Sequence, residues 1–367
     1  DALNGLLQFN KNGFTIGPQN EVNTSGEDYV AWCWKSSGTA QSATYAVKVV
    51  DSGGNKYRFD DFGSNAVTLE LSEGGTYTFD QSDSSNSSHP LRFSTTSDGT
   101  HGGGSEYTTG VTTSGTPGTA GAFTRITVAT GAPTLYYYCT QHSGMGGQAN
   151  TPSTKGYSNF KGTIQSKVLA STESGFSIVS YTGNTTGGAT VGHGLSSAPN
   201  FMVIKRTNST GNWFATHSSL TAGYVFYWNL NNAAGASTAI FNGTAPGAST
   251  FTLGTGNSNL NAPYIAYCFT EVEGHSKIGE WKNNNSTDGA FVFTGFRPAF
   301  VFLKNHDDSE GWYLVDSQRS PINIGPPLVQ FLGANLSNVE GNVNASTATV
   351  DLVSNGFKIR TTNAGTG

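Results

Sequence analysis

Two stretches of this chain repeat one another at a constant distance. Ala198-Pro199-Asn200-Phe201-Met202-Val203-Ile204-Lys205, closing with Gly211-Asn212-Trp213-Phe214, is echoed by Arg297-Pro298-Ala299-Phe300-Val301-Phe302-Leu303-Lys304, closing with Gly311-Trp312-Tyr313. Pro199 matches Pro298, Lys205 matches Lys304 and Trp213 matches Trp312, each 99 residues on. A second set of echoes runs alongside. Gly13-Phe14-Thr15-Ile16-Gly17 leads to Tyr29-Val30-Ala31-Trp32-Cys33-Trp34, and Phe251-Thr252-Leu253-Gly254 leads to Tyr264-Ile265-Ala266-Tyr267-Cys268-Phe269. Gly356-Phe357-Lys358-Ile359 opens a third copy. A chain that copies itself folds as a series of like units, and the spacing sets the unit size.

The units are β. Short apolar or alternating runs at residues 201–205, 291–293 and 300–304 are bounded by Gly, Asn, Pro and Ser, which is how strands and their turns read. Strands spaced by about ten residues with turns between them indicate sandwiches. Composition agrees: charged residues make up 12% of the 367, with 48 Gly, 12 Pro and 12% aromatics. The helix formers of a coiled coil are scarce. The aromatics are core-formers, which argues against disorder. No apolar run approaches the roughly 18 residues of a membrane span. With 19 basic and 24 acidic residues, net −5, a basic nucleic-acid surface is not expected.

The repeat pattern stops between about residues 39 and 158, and its flanks read as consecutive repeat parts. We therefore expect four segments: the end of one repeat at 1–38, an inserted domain at 39–158, a complete repeat at 159–275 and a second, truncated at its C-terminus, at 276–367. Insertion into an exposed connection is well tolerated. The start at Asp1 without a leader and the end at Gly367 read as a piece of a longer or processed polypeptide. In the insertion, Val67–Leu71 and Thr76–Phe79 alternate around Ser72-Glu73-Gly74-Gly75, and so predict a hairpin. Residues 94–121 read as a long ordered loop.

The sharpest signal is Leu135-Tyr136-Tyr137-Tyr138-Cys139-Thr140-Gln141-His142-Ser143-Gly144-Met145. Cys139, His142 and Met145 close an aromatic strand, and His89 lies 50 residues upstream. Two imidazoles, a thiolate and a weak thioether are the donor set of a blue-copper site. A tight loop after the strand lets three of these side chains converge on one point, and His89 completes them from a neighbouring loop.

This pattern resembles the cupredoxin family over residues 60–147, with the C-x2-H-x2-M spacing of amicyanin. The resemblance implies an inserted Greek-key β-sandwich with copper held by His89, Cys139, His142 and Met145. The chain departs from the family at Ser88, where Asn is common, at Pro90, and in the glycine-rich loop holding His101. The alternative is a sandwich kept for its shape, without metal.

Other candidates are weaker. His193, in Gly192-His193-Gly194, reads as an exposed turn residue. His217 and His306 follow strands. Asp307, Asp308 and Asp316 lack the spacing of a calcium loop. Gly144-Met145-Gly146-Gly147 lacks the Lys of a phosphate loop. No nucleophile elbow is present, no carboxylate pair stands out, and no catalytic residue is assigned. Trp213 and Trp312 read as core by their repeat positions; with Trp228 they would otherwise be sugar-stacking surfaces. Cys33 and Cys268 read as buried small hydrophobes, and three distant cysteines make no disulfide framework. Asn-Xaa-Ser/Thr triplets at Asn23, Asn184, Asn208, Asn242 and Asn344 are expected by chance in a chain so rich in these residues.

The repeats, as in Ser354-Asn355-Gly356-Phe357-Lys358-Ile359-Arg360 and Gly295-Phe296-Arg297-Pro298-Ala299-Phe300-Val301, resemble tandem modules of large virion proteins of marine tailed bacteriophages. That implies a non-enzymatic virion protein, a tail fibre or other appendage, that presents β-modules to the host surface. Its partners would be other virion proteins and a host glycan or protein, in a homo-oligomer such as a trimer. Capsid decoration or a neck fibre, a copper electron-transfer or storage protein, and a glycan-degrading enzyme are the rival readings.

Overall fold

The structure is a computed structural model, and it describes residues 5–10, 13–34, 41–319, 331–337, 340 and 350–362. Among these residues the chain is all-β, with 27 strands and two four-residue helices. The boundary expected at 38/39, Lys35 and the triplet at Asn344 lie outside the described residues.

Residues 1–35 form a unit of their own. Strands β1 (Leu6–Asn10) and β2 (Gly13–Ile16) pair as an antiparallel hairpin with Phe9 opposite Phe14, and helix α1 (Asn20–Asn23) follows. The strand expected at Tyr29–Trp34 is absent, and Cys33 is exposed rather than buried. The physical reason lies in the matching segment at 264–269, which is flanked by a strand on each side (below). Among the described residues 5–34, the only β-ladder is that of β1 and β2, so 29–34 is not drawn into a sheet.

The second unit spans residues 36–367. Its first body holds β3 (Ser42–Asp51), β4 (Asn55–Phe59), β5 (Leu69–Glu70), β6 (Thr76–Asp80), β7 (Leu91–Ser94), β8 (Val111–Ser114), β9 (Phe123–Thr127), β10 (Leu135–Cys139) and β11 (Gly147–Asn150). Five strands run β4-β3-β6-β9-β8 and four run β5-β11-β10-β7. Alternation sends Tyr77 and Phe79 inward from one sheet and Leu135, Tyr137 and Cys139 inward from the other. Phe79 touches Tyr45, Phe59 and Phe93 at centroid distances of 5.4, 5.6 and 5.5 Å. Such ring pairs add about 0.5–1.5 kcal/mol each beyond area burial.

The predicted hairpin at 67–79 does not form. β5 pairs in parallel with β11, whereas β6 pairs with β3 and β9 in the opposite sheet. The turn at 72–75 carries the chain from sheet to sheet, so Leu69 and Tyr77 meet the core from opposite sides. The loop expected at 94–121 contains β8 and a 3-10 turn at Gly99–Gly102.

Strand β12 (Tyr157–Asn159) ends this body and begins the next. Its Tyr157 packs against both hydrophobic cores. Ser158 accepts the Tyr45 hydroxyl at its carbonyl and the Glu70 amide at its Oγ, both at 2.8 Å. On its other side β12 pairs with β13 (Ser166–Ser171). The expected boundary at 158 thus falls inside a strand that both bodies share, and Phe160 still lies in the first core.

The next body adds β14 (Phe176–Thr182), β15 (Thr190–Gly192), β16 (Phe201–Arg206), β17 (Phe214–His217), β18 (Tyr224–Tyr227), β19 (Gly235–Ala236), helix α2 (Thr238–Phe241), β20 (Thr250–Thr252) and β21 (Pro263–Phe269). Eight strands run β12-β13-β14-β21-β16-β17-β18-β19, and β15 pairs with β20. β21 lies between β14 and β16 and buries Tyr264, Ala266 and Cys268.

The last body has β22 (Phe291–Phe293), β23 (Phe300–Lys304), β24 (Trp312–Asp316), β25 (Phe331–Gly333), β26 (Val350–Val353) and β27 (Gly356–Ile359). Ile204 faces Phe214 across β16 and β17, and 99 residues on Leu303 faces Tyr313 across β23 and β24. Val191 faces Phe251 across β15 and β20, and Val292 faces Phe357 across β22 and β27. The two hairpins also pack on each other. Trp312 lies 5.1 Å from Phe226, and Phe302 lies 5.6 Å from Trp228. Trp312 is buried, while Trp213 and Trp228 are half-buried.

Candidate metal centre

β10 ends at Cys139, whose side chain is completely buried. β10 pairs with β7, which places Cys139 opposite Leu91 and so beside the turn that carries His89. The loop after β10 folds back over the sandwich edge into β11 and brings His142 to the same point. His89 Nδ1 and His142 Nδ1 each stand 3.8 Å from Cys139 Sγ. The three ligand atoms lie within 4.8 Å of one another. The imidazole centroids are 4.5 Å apart, tilted by 46°. His89 is half-buried and His142 is exposed.

These separations suit a metal. A metal about 2.0 Å from a ring nitrogen and about 2.3 Å from a thiolate spaces N and S about 3.5 Å apart at a tetrahedral angle and about 3.7 Å at a trigonal one. The observed 3.8 Å at both pairs falls at the trigonal end. Met145, the fourth residue singled out in the sequence, is buried with Cys139 in the same apolar cluster.

The histidines are held by partners that sequence inspection missed. Tyr57 Oη and Gln81 Nε2 both donate to the His89 carbonyl, each at 2.8 Å. Gln81 Oε1 accepts the Leu91 amide at 3.1 Å, so one buried amide clamps both sides of Pro90. Burial, and then the adjacent Cys139 sulfur, push the Tyr57 hydroxyl pKa up, which keeps it a donor. Asn86 stands two residues before Ser88. Its amide donates to the Val47 carbonyl at 2.7 Å, and its own carbonyl accepts the His89 amide at 2.8 Å. Asn86 thus anchors the turn that carries His89. The Asn55 amide lies 3.5 Å from His89 Nε2. Burial, and then His142, lower the His89 pKa, which favours the neutral, ligating form. Of the partners of His89, Tyr57 and Asn55 come from β4, more than 30 residues away, while Gln81 and Asn86 lie in the stretch after β6 that leads to it.

The other candidates lie elsewhere. His193 is buried, not exposed. Its Nδ1 accepts the Leu195 amide at 3.2 Å, and its Nε2 stands 3.1 Å from the Gly247 carbonyl. Nε2 therefore carries the hydrogen, and burial lowers its pKa. Residues flanked by Gly were read as a surface turn, but the turn faces the strands that follow it. His217 is half-buried with its Nδ1 accepting the Ser219 amide. His306 pairs with Asp307 at 2.8 Å. Asp316 is engaged by Arg319 at 2.7 Å; burial opposes its ionisation, but the Arg319 hydrogen bonds and charge outweigh it and lower the pKa. Asp307 and Asp308 are exposed. Among the described residues, His89, Cys139 and His142 form the one close group of three metal-binding side chains. No described helix is long and apolar enough to cross a membrane.

Comparison with known proteins gives one match. The model of a family described as a domain of unknown function, DUF7483, matches residues 1–54 and 149–367. It leaves out 55–148, the stretch that carries His89, Cys139, His142 and Met145. No curated protein and no solved structure matches. With well over half of its length matched, on both sides of the stretch that carries His89, Cys139 and His142, the chain belongs to the DUF7483 family.

Proposed function

We propose that this chain is a scaffold of tandem β-sandwich repeats carrying an inserted cupredoxin-like domain. That domain holds one copper ion through His89, Cys139 and His142, with Met145 as a weak fourth donor. The observation that carries the reading is the pair of 3.8 Å separations from Cys139 Sγ to the two Nδ1 atoms. Thiolate, imidazole and thioether together are soft enough to hold copper in both oxidation states. The gap in the family match at 55–148 supports the reading of this stretch as a guest.

With all its donors supplied by protein, bound copper would exchange single electrons rather than turn over a substrate. The chain's own residues prepare that. Tyr57 and Gln81 fix the His89 backbone, and burial of Cys139 keeps water from the sulfur. Exposed His142 offers the edge through which an electron would pass.

The test is titration with Cu(II), followed by absorption spectroscopy and elemental analysis. One equivalent of copper and an intense thiolate-to-copper band are expected. A colourless protein without bound metal would remove the reading.

For the chain as a whole we infer a role as an appendage of a tailed-phage particle, displaying its modules to a host surface. The specific support is the shared register of the β16–β17 and β23–β24 hairpins, as in an array of like modules. Weak contacts repeated along such an array add up through avidity. Electron microscopy of intact particles tests this; no density for the chain on tail, neck or capsid would sink it.

A further inference from the structure

We propose that Asp98 and His101, on the glycine-rich connection between β7 and β8, are positioning residues that brace the metal-binding loop. This rests on the copper reading and deepens it. His101 Nε2 stands 3.0 Å from the Cys139 carbonyl oxygen. A carbonyl only accepts, so Nε2 carries the hydrogen and donates. The Gly144 amide donates to Asp98 Oδ1 at 2.8 Å. The brace thus grips the loop at Cys139 and at Gly144, next to Met145, with His142 between the two points.

The connection is built to sit there. Gly99 lies flat on the buried Tyr138 ring. A Cβ at Gly99 would stand 2.5 Å from three ring carbons, and its φ is +56°. Asp98 itself adopts a left-handed φ of 57°, uncommon for a residue with a side chain. The base of the connection is fixed to β7, the strand beside β10. Ser94 Oγ donates to the Ser105 carbonyl at 2.8 Å, and Arg92 pairs with Glu106 at 3.3 Å. The brace, the strand under it and the ligand loop therefore form one frame.

Groups that orient metal ligands without touching the metal change affinity by roughly 10–100-fold when removed. The experiment compares the full chain with Asp98→Ala, Asp98→Asn, His101→Ala and His101→Gln. Two readings are taken: exchange of the Gly144 amide in metal-free protein, and copper loss to a chelator together with the position of the thiolate-to-copper band. In Asp98→Ala, Gly144 exchanges faster and copper leaves about 10–100-fold faster. Asp98→Asn keeps an accepting oxygen and stays near the parent. His101→Ala shifts the band, and His101→Gln, which keeps a donor, restores it.

Gly144 exchange, copper loss and band position unchanged in both alanine variants overturn the proposal. So does Asp98→Asn behaving like Asp98→Ala, since general damage would then explain both. A parent chain that takes up no copper defeats the copper reading, while Gly144 exchange still decides whether the loop is braced. If an alanine variant fails to fold, Asp98→Ser and His101→Phe, which remove the reaching acceptor and the donor but keep a filling side chain, are expected to show the same losses and decide by the same readings.

Discussion

Cys139 and Cys268 occupy the same kind of place in two different sheets. Each stands at or next to the end of an aromatic strand and each is completely buried. Cys268 sits between Ser177 on β14 and Met202 on β16, with burial pushing its thiol far up. It packs as a small hydrophobe. Cys139 has Leu91 on one side and two imidazole nitrogens at the open end of its strand. Depth alone therefore does not bring imidazoles to a thiol; the loop that follows Cys139 does. The histidines repeat the lesson. His193 spends both nitrogens on its own backbone, whereas His89 and His142 turn Nδ1 toward a sulfur.

The largest expected effect separates the two cysteines. Cys139→Ser abolishes the copper band outright. Cys268→Ser keeps the band and costs about 1–3 kcal/mol for a buried hydroxyl. If Cys268→Ser also lost the colour, the contrast would collapse.

Next, the two bodies can be told apart by melting. The described tryptophans between residues 41 and 319 lie at 213, 228, 281 and 312, and the β3–β11 body holds none. Phe79→Ala removes the ring at the centre of that body's core, at about 3–5 kcal/mol. It is expected to lower the transition seen by the copper band of loaded protein and leave the one seen by tryptophan. Trp312→Ala, which opens the layer between the two hairpins, does the reverse at a similar about 3–5 kcal/mol. One common shift in both variants would show a single cooperative body.

The smallest effect is a pH dependence. His193 is neutral when folded, with a pKa held below its ordinary value of 6.5 by burial. On acidification the unfolded chain takes up its proton first, so this contribution is full above about pH 6.5 and declines as the pH falls toward the folded pKa. Denaturant midpoints of the repeat body measured across this window fall with acid, and His193→Gln flattens the slope. An equally steep slope in the variant would return His193 to the surface role its sequence implied.

Much of this was legible. That Cys139, His142 and His89 meet is legible from their spacing, because a short loop after a strand brings its own side chains together and these residue types are rare in the chain. The strands at 201–206, 291–293 and 300–304 followed from local apolar runs. The misreadings share a cause. Alternation at 67–71 and 76–79 tells which residues face inward but not which strand lies alongside, so a crossing between sheets looked like a hairpin. The run at 29–34 shares Tyr, Ala and Cys with 264–269 at matching positions, but a strand also needs a ladder beside it. The clamp on His89 pairs Gln81, eight residues before it, with Tyr57, which the fold brings from 32 residues away.

β12 has a mechanical meaning. A guest domain hung on flexible tethers would tumble, and a pull on its host would leave it slack. Here residues 157–159 are hydrogen-bonded to β13 on one side and joined to the β3–β11 body through Ser158 on the other. Backbone ladders resist sliding because several bonds must break together. A pull along the chain at β13 would therefore be transmitted into the β3–β11 body rather than absorbed at a hinge, and the two bodies would keep a fixed bearing on each other as the load rises.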